Sequence, residues 1–418
     1  MQTSRGILRA PLLVLILLCA FYVILYIDRT NIAAAAPLMK ADFHFNNTQM
    51  GAIFSAFAIP FAAFQLVGGF FGDRLGPRLI LSVCCAVVGI STIWTGLAGG
   101  FASLAAARML LGLGEGAANS TATRAMSIWV PRSKWGLAQG ITHSCARLGN
   151  AIAPPLMVGL FAVITWRGSF VVVGTVSLAW LVIWAWYFRD DPKNHPRITA
   201  RDLDALPDIA SATGTKVPWL RLFGTIYPVT IVDFCYGWTI WLFLSWTPTF
   251  FLENYHLNLP SSALFTSGVL LTGMIGDTVG GLATDRILRR TGNLRRARCT
   301  VVVTGFLGAF LFMIPVVLIH NLTVAAVCLS CACFFLELIV APIWAVPMDI
   351  APKYAGTASG MMNFGFAMAG LLSPVSFGFL VDITGSWVVP FFGSIALLFL
   401  GAILASALRP DRAFNIAA

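Results

Sequence analysis

Long apolar runs return along this chain from residue 11 almost to residue 409, near 11–38, 49–72, 79–99, 101–129, 135–161, 167–189, 221–253, 262–286, 297–319, 322–350, 354–382 and 386–409. A membrane-spanning helix needs roughly 20 apolar residues, so the pattern predicts twelve such helices in an all-α polytopic membrane protein. The composition agrees: 58% of residues are hydrophobic and 11% charged, against about 45–50% apolar and about 25% charged in soluble domains. A soluble fold has no interior large enough to hide that much apolar surface.

A net charge of +10 invites a nucleic-acid partner, but the placement of the basic residues argues for a bilayer instead. With the N-terminus on the cytoplasmic side, 22 of the 27 Lys and Arg residues fall at cytoplasmic ends of the predicted helices, and only Lys40 and Arg167 fall on the other side. That asymmetry places both termini in the cytoplasm of a multi-pass, bacterial inner-membrane protein. The remaining three, Arg29, Arg108 and Arg147, lie inside predicted spans. Arg5 and Arg9 precede the first run as in a signal peptide, yet the run is too long for that, and Asp28 and Arg29 interrupt the approach to any cleavage site. The nine cysteines sit almost wholly in apolar spans with no zinc-like spacing and read as small packing residues. No metal or cofactor motif is evident.

The chain also repeats itself. GGFFGDRLGPR, Gly68 to Arg78, matches GGLATDRILRR, Gly280 to Arg290, at an offset of 212, and Gly136, Ala138, Gly140 and Pro154 match Gly356, Ala358, Gly360 and Pro374 at an offset of 220. Duplicated halves are common in transporters. Between them lies a polar, proline-containing stretch charged on both signs. The expected domains are a six-helix bundle over 1–188, a cytoplasmic linker over 189–219, and a second six-helix bundle over 220–418.

In the first copy of the repeat, Gly69, Asp73, Arg74, Gly76 and Arg78 form G-x-x-x-D-R-x-G-x-R at the cytoplasmic end of the second span. Glycines let helices approach closely, and the acid and bases of the turn suit a latch whose ion pairs form and break. A simple topogenic positive turn is the blander alternative. This loop resembles the signature of the major facilitator superfamily, repeated degenerately at Gly281, Asp285 and Arg286, with Arg124 placed to partner Asp73. The runs YVILYIDRTNIAAAAP, RMLLGLGEGAANS and GWTIWLFLSWTPTFF narrow the resemblance to the anion:cation symporter family, which includes proton symporters for hexuronates, galactonate and other sugar acids. The resemblance covers the whole chain. It implies a fold of twelve helices in two pseudo-symmetric six-helix bundles, no enzymatic chemistry, and as partners a small organic anion, a proton and the lipid bilayer, with no nucleic acid and the carrier a monomer.

Ionisable side chains inside a bilayer are costly and mark cavities or partners. Tyr22, Tyr26 and Arg29 are spaced i, i+4, i+7 and share one helical face, while Asp28 is turned about 100° away. Arg108 and Glu115, seven apart, share one face of the fourth span. By the family pattern, Arg29 resembles a clamp for a substrate carboxylate, and Asp28 and Glu115, with Arg108, resemble proton-carrying sites. These four could instead neutralise one another as structural pairs. In the second span, SAFAIPFAAFQLVGG places Phe61 where galactonate-type members carry a Tyr, with Gln65 one turn on.

The fifth span carries His143 and Arg147, an i, i+4 pair. Arg147 suits a second carboxylate contact, as a dicarboxylate requires, or equally a helix-end cap or a partner for an acid. Trp241, Asn363 and Glu337 could complete the cavity from the second half, although the tryptophans fit packing equally well, and Asp233 and Asp277 have no evident role. Proton-coupled uptake of a sugar acid or other carboxylate by alternating access is the leading reading. An exporter or antiporter of another solute, or a membrane sensor, are the rivals.

Overall fold

The structure, a computed structural model, describes residues 9–131, 135–206, 218–351, 355–412 and 414. Within these the side chains of 9, 66–70, 73, 135–137, 139, 355 and 356 are not described. The described residues form sixteen α-helices and one short 3-10 turn. They are α1 (Arg9–Phe43), α2 (Asn47–Ala56), α3 (Ala58–Leu75), α4 (Pro77–Leu97), α5 (Phe101–Gly116), α6 (Ala118–Trp129), α7 (Trp135–Phe161) and α8 (Trp166–Tyr187). After the short α9 (Ala200–Ala205) come α10 (Trp219–Asn254), α11 (Leu259–Thr291), α12 (Leu294–Leu318), α13 (Leu322–Glu337), α14 (Val340–Ile350), α15 (Ala355–Thr384) and α16 (Phe391–Ala407).

Twelve spans account for this list once three of them are recognised as broken. The expected second span is α2 plus α3, the fourth α5 plus α6, and the tenth α13 plus α14. Proline explains two of the breaks. Pro60 and Pro342 have no N–H for the carbonyl four residues back, and the chain turns at Phe57 and at Leu338 and Ile339. The third break falls at Ala117, directly after the glycine-rich Gly112 to Gly116. Eight helical stretches among the described residues are long and apolar enough to cross a membrane by length and composition.

The most extensive helix–helix contacts are α1 with α7, α4 with α8, and α10 with α15, and the helices before the 189–206 segment meet those after it chiefly through α2 and α3 against α15 and α7 against α11. Small residues make these approaches possible. A Cβ on Gly149 would lie 2.6 Å from the Val23 carbonyl oxygen, so α7 can seat directly on the Val23–Tyr26 turn of α1 only without a side chain there.

Candidate functional site

At the centre of α1 the sequence places a cation and a carboxylate side by side, and the structure sends them in different directions. Arg29 turns toward α5, where its Nε donates to Glu115 Oε2 at 2.6 Å and its Nη2 lies 2.5 Å from the same oxygen. Both side chains are buried. Aromatic rings enclose the guanidinium: Tyr26 at 4.4 Å, Phe61 at 5.0 Å and Phe57 at 5.4 Å from its central carbon. Such ring faces favour a desolvated cation. Glu115 Oε1 accepts no hydrogen bond from a described residue.

Asp28 faces α4 and α8 instead. Its two oxygens accept hydrogen bonds from Thr92 Oγ1 at 2.8 Å and Ser177 Oγ at 2.6 Å, and it makes no ion pair among the described residues. Arg108 likewise has no carboxylate within ion-pair distance among them. Its Nη2 donates to the Arg29 carbonyl at 3.3 Å and its guanidinium lies 5.2 Å from the Phe57 ring. The four charges therefore do not form two neutral pairs; one pair is made and two groups are held by neutral partners. A crevice of about 10 Å³, room for roughly one water, is lined by Arg29, Thr30, Phe54, Arg108, Trp241 and Ser245.

A second charged cluster lies where α7 meets α11 and α13. Arg147 Nη2 is 2.8 Å from Glu337 Oε2, and its Nε is 4.0 Å from Asp277 Oδ2. Of the three readings open to Arg147 from sequence, the geometry is that of a partner for an acid. Asp277, which had no evident role, belongs to the same cluster, and His143 one turn earlier on α7 sets its ring 6.3 Å from Tyr22. Asp233 on α10 is buried, with Oδ2 unpartnered among the described residues.

The other expected lining residues are distributed unevenly. Asn363 Nδ2 donates to Gln65 Oε1 at 2.5 Å, joining α15 to α3. Trp241 lies tilted against Phe57, 5.7 Å between ring centroids, and its indole N–H is committed to the Phe366 carbonyl at 3.1 Å, so it offers a ring rather than a donor.

Of the expected latch, Gly69 and Asp73 lie on α3, but their side-chain surroundings fall outside the described residues. Arg74, Arg124, Asp285 and Arg286 are on or near the surface of α3, α6 and α11. Arg78 is engaged locally: its Nε and Nη2 donate to the Ala185 carbonyl at 3.0 and 2.5 Å, and its backbone N–H donates to Asp190.

Sequence reasoning missed a set of contacts at the opposite end of the bundle. Lys40 Nζ pairs with Glu253 at 2.7 Å. Asp382 accepts from the backbone N–H and side chain of both Asn47 and Thr48, at 2.6 to 3.0 Å. These join α1 and α2 to α10 and α15. Their only signal in the sequence is charge at the ends of apolar runs.

An all-helical bundle whose apolar spans enclose buried, partnered charges is a multi-pass membrane protein of the carrier class. The chain belongs to the Major Facilitator Superfamily, whose family model matches residues 18–374, and it is a transporter rather than an enzyme. It is 46% identical over 402 residues to a probable sulfoacetate transporter of Cupriavidus necator, covering 95% of this chain and 94% of that one. It is 31% identical to the hexuronate transporter of Bacillus subtilis, over 87% of this chain and 86% of that protein. A D-galactonate transporter of Escherichia coli is 26% identical over 90% of each. A bacterial homologue of the human lysosomal transporter Spinster, solved inward-facing and unoccupied, superposes with a TM-score of 0.77 at 17% identity, over 97% of both chains. That likeness concerns the fold.

Proposed function

We propose that this protein carries a small organic anion across the bacterial inner membrane by alternating access, coupled to proton entry, with Arg29 as the clamp for the anion's acid group. The observation that carries the reading is the buried Arg29–Glu115 pair inside its cage of Tyr26, Phe57 and Phe61. An isolated buried ion pair adds little net stability, so a charge held there is better explained by exchange of partners. When a substrate acid group takes the guanidinium, Glu115 loses its counter-ion in a dry site and is favoured to take a proton. Reciprocal coupling follows: a proton that promotes anion binding is itself held more firmly with the anion present. Asp28, held among the described residues by two hydroxyls, is the second proton carrier, and Arg108, outside ion-pair distance but within electrostatic reach of both acids, balances their charge. Tyr26, Phe61, Gln65, Arg147, Trp241 and Asn363 line the path. The relatives that carry sulfoacetate, hexuronate and galactonate support an organic acid as cargo.

The same reading takes residues 1–188 and 220–418 as two six-helix units that rock about the site, with 189–219 as linker and both termini cytoplasmic. Asp73, Arg74, Arg78, Arg124, Asp285 and Arg286 then bias the rocking at the cytoplasmic face, and the carrier works as a monomer. The test is uptake into proteoliposomes with acid outside. Accumulation should collapse with a protonophore, and Glu115→Gln should keep counterflow exchange while losing accumulation. Undiminished accumulation by Glu115→Gln with Asp28→Asn would sink the proton-coupled reading.

A further inference from the structure

Among the described residues two arginine–glutamate pairs lie inside the bundle, one fully buried and one whose arginine is partly exposed. Arg29 with Glu115 joins α1 to α5, and Arg147 with Glu337 joins α7 to α13. The two arginines belong to one wall. The α1 face that carries Tyr22, Tyr26 and Arg29 meets the α7 face that carries His143 and Arg147, through the Tyr22–His143 ring contact and the seating of Gly149 on Val23 and Tyr26. Gly149 is level with that turn of α1, so the Arg147 backbone, two residues earlier, sits roughly 9 Å from Arg29 along the helix axis. Tyr26 is within electrostatic reach of both guanidiniums, and the arginine side chains are long enough to close much of the gap. Arg147 is the less enclosed of the two, 15% exposed against 5% for Arg29.

The charges at the second pair are not balanced. Arg147 faces two carboxylates, Glu337 at 2.8 Å through Nη2 and Asp277 at 4.0 Å, and its Nε makes no hydrogen bond among the described residues, whereas a guanidinium can present a two-pronged fork to an acid group. An incoming acid group can thus offer Arg147 a better geometry than Glu337 does.

We propose that the carried anion has two acid groups at opposite ends of a short backbone, one held by Arg29 and the other by Arg147, and that the second group takes the place of Glu337. This rests on the reading of Arg29 as an anion clamp and adds the class of anion to it. Because Arg147 lies on α7 while Glu337 and Asp277 lie on α13 and α11, the exchange also releases an ion pair that ties the helices before the linker to those after it. Anion binding and loosening of that tie are one event.

The experiment is binding to the purified full-length protein, read by thermal shift and by competition in counterflow, with two probes: sulfoacetate, which has a sulfonate and a carboxylate, and ethanesulfonate, which has the sulfonate alone. The wild type should prefer sulfoacetate at least tenfold. In Arg147→Gln with Glu337→Gln, which removes both partners of the 2.8 Å pair together, that preference should shrink to within threefold. Glu337→Gln alone, which keeps Arg147 and removes its competitor, should bind sulfoacetate at least as tightly as the wild type. The proposal is overturned if the wild type binds the two probes within threefold of each other. It is equally overturned if the double variant keeps the tenfold preference, or if Glu337→Gln binds sulfoacetate more weakly. If no organic anion of either class binds the wild type, the clamp reading falls as well, an outcome distinct from the three before it.

Discussion

Glu115 and Glu337 stand in matching places. Each closes the first segment of a broken helix, one residue or two before the turn, and each holds an arginine of a neighbouring helix. Glycines make the close contacts of both segments, from within α5 in one case and from α11 in the other. A Cβ on Gly112 or Gly116 would run into α3 or the turn before it, and one on Gly273, Gly276 or Gly280 would run into α13 or the turn after it. The difference lies in the partner: Arg29 and Glu115 both precede the 189–206 segment, whereas Arg147 precedes it and Glu337 follows it.

The clamp reading makes Arg29 intolerant even of lysine. An ammonium keeps the charge but loses the planar fork and most of the ring stacking. Arg29→Lys should weaken anion binding at least tenfold in a thermal-shift titration, with the unliganded protein still folded. Binding within twofold of the wild type would remove Arg29 from the site.

Close packing beside Glu115 gives a stability prediction. A side chain at Gly112 meets the Phe57 carbonyl and Pro60, neither of which can swing away. Gly112→Val should cost about 1–3 kcal/mol, seen as a lower melting temperature. Gly99, whose Cβ direction is open, is the control, where alanine should change little.

The segment between α8 and α10 has its own titratable knob. His195 is buried between Trp129, at 5.2 Å between ring centroids, and Tyr187, at 4.8 Å, and its Nδ1 accepts the Arg197 backbone N–H. Burial first and then Arg189 hold its pKa below the ordinary 6.5, against a smaller upward pull from the Tyr187 backbone. The neutral form is therefore the one that docks, and the contribution to docking is present above pH 6.5 and lost as pH falls below it. Protease cutting near residue 195 should rise between pH 7.5 and 5.5, and His195→Phe should flatten that rise. A pH-independent cutting rate in the wild type would contradict it.

Much of this was readable from residue type and spacing. Arg29, Asp28, Arg108 and Glu115 stand out because charge in an apolar run is expensive, and helical periodicity sends Arg29 and Asp28 to different faces. Periodicity does not choose partners between helices. Arg108 looks like a mate for Asp28, yet Thr92 and Ser177 hold that carboxylate, since hydroxyls in apolar helices carry no conspicuous signal. Arg147 and Glu337 are 190 positions apart, and only the seating of α7 on α11 brings them together. The breaks at Phe57, Leu338 and Ile339 could have been read from Pro60 and Pro342.

The end of the bundle that carries Lys40 offers the sharpest test of alternating access. There α2 lies against α15 so closely that a Cβ on Gly51 would strike the Pro374 carbonyl and one on Gly378 the Asn47 carbonyl. Asp382 fastens the contact by accepting hydrogen bonds from the backbone N–H and side chain of Asn47 and Thr48, and Lys40 with Glu253 adds an ion pair beside it. Charge-assisted hydrogen bonds of this kind contribute more than neutral ones, so Asp382 should dominate over the half-exposed Lys40–Glu253 pair. If transport requires this end to open and reclose, Asp382→Ala should shift the population toward the open form, because it removes contacts made only when closed. Gly51→Leu should do so more strongly by obstructing closure. Spin labels on the ends of α2 and α15 should report a longer mean separation in both variants, and uptake should fall while Lys40→Ala changes either quantity less. An unaltered separation in Gly51→Leu, with transport intact, would show that closure at this end is not part of the cycle.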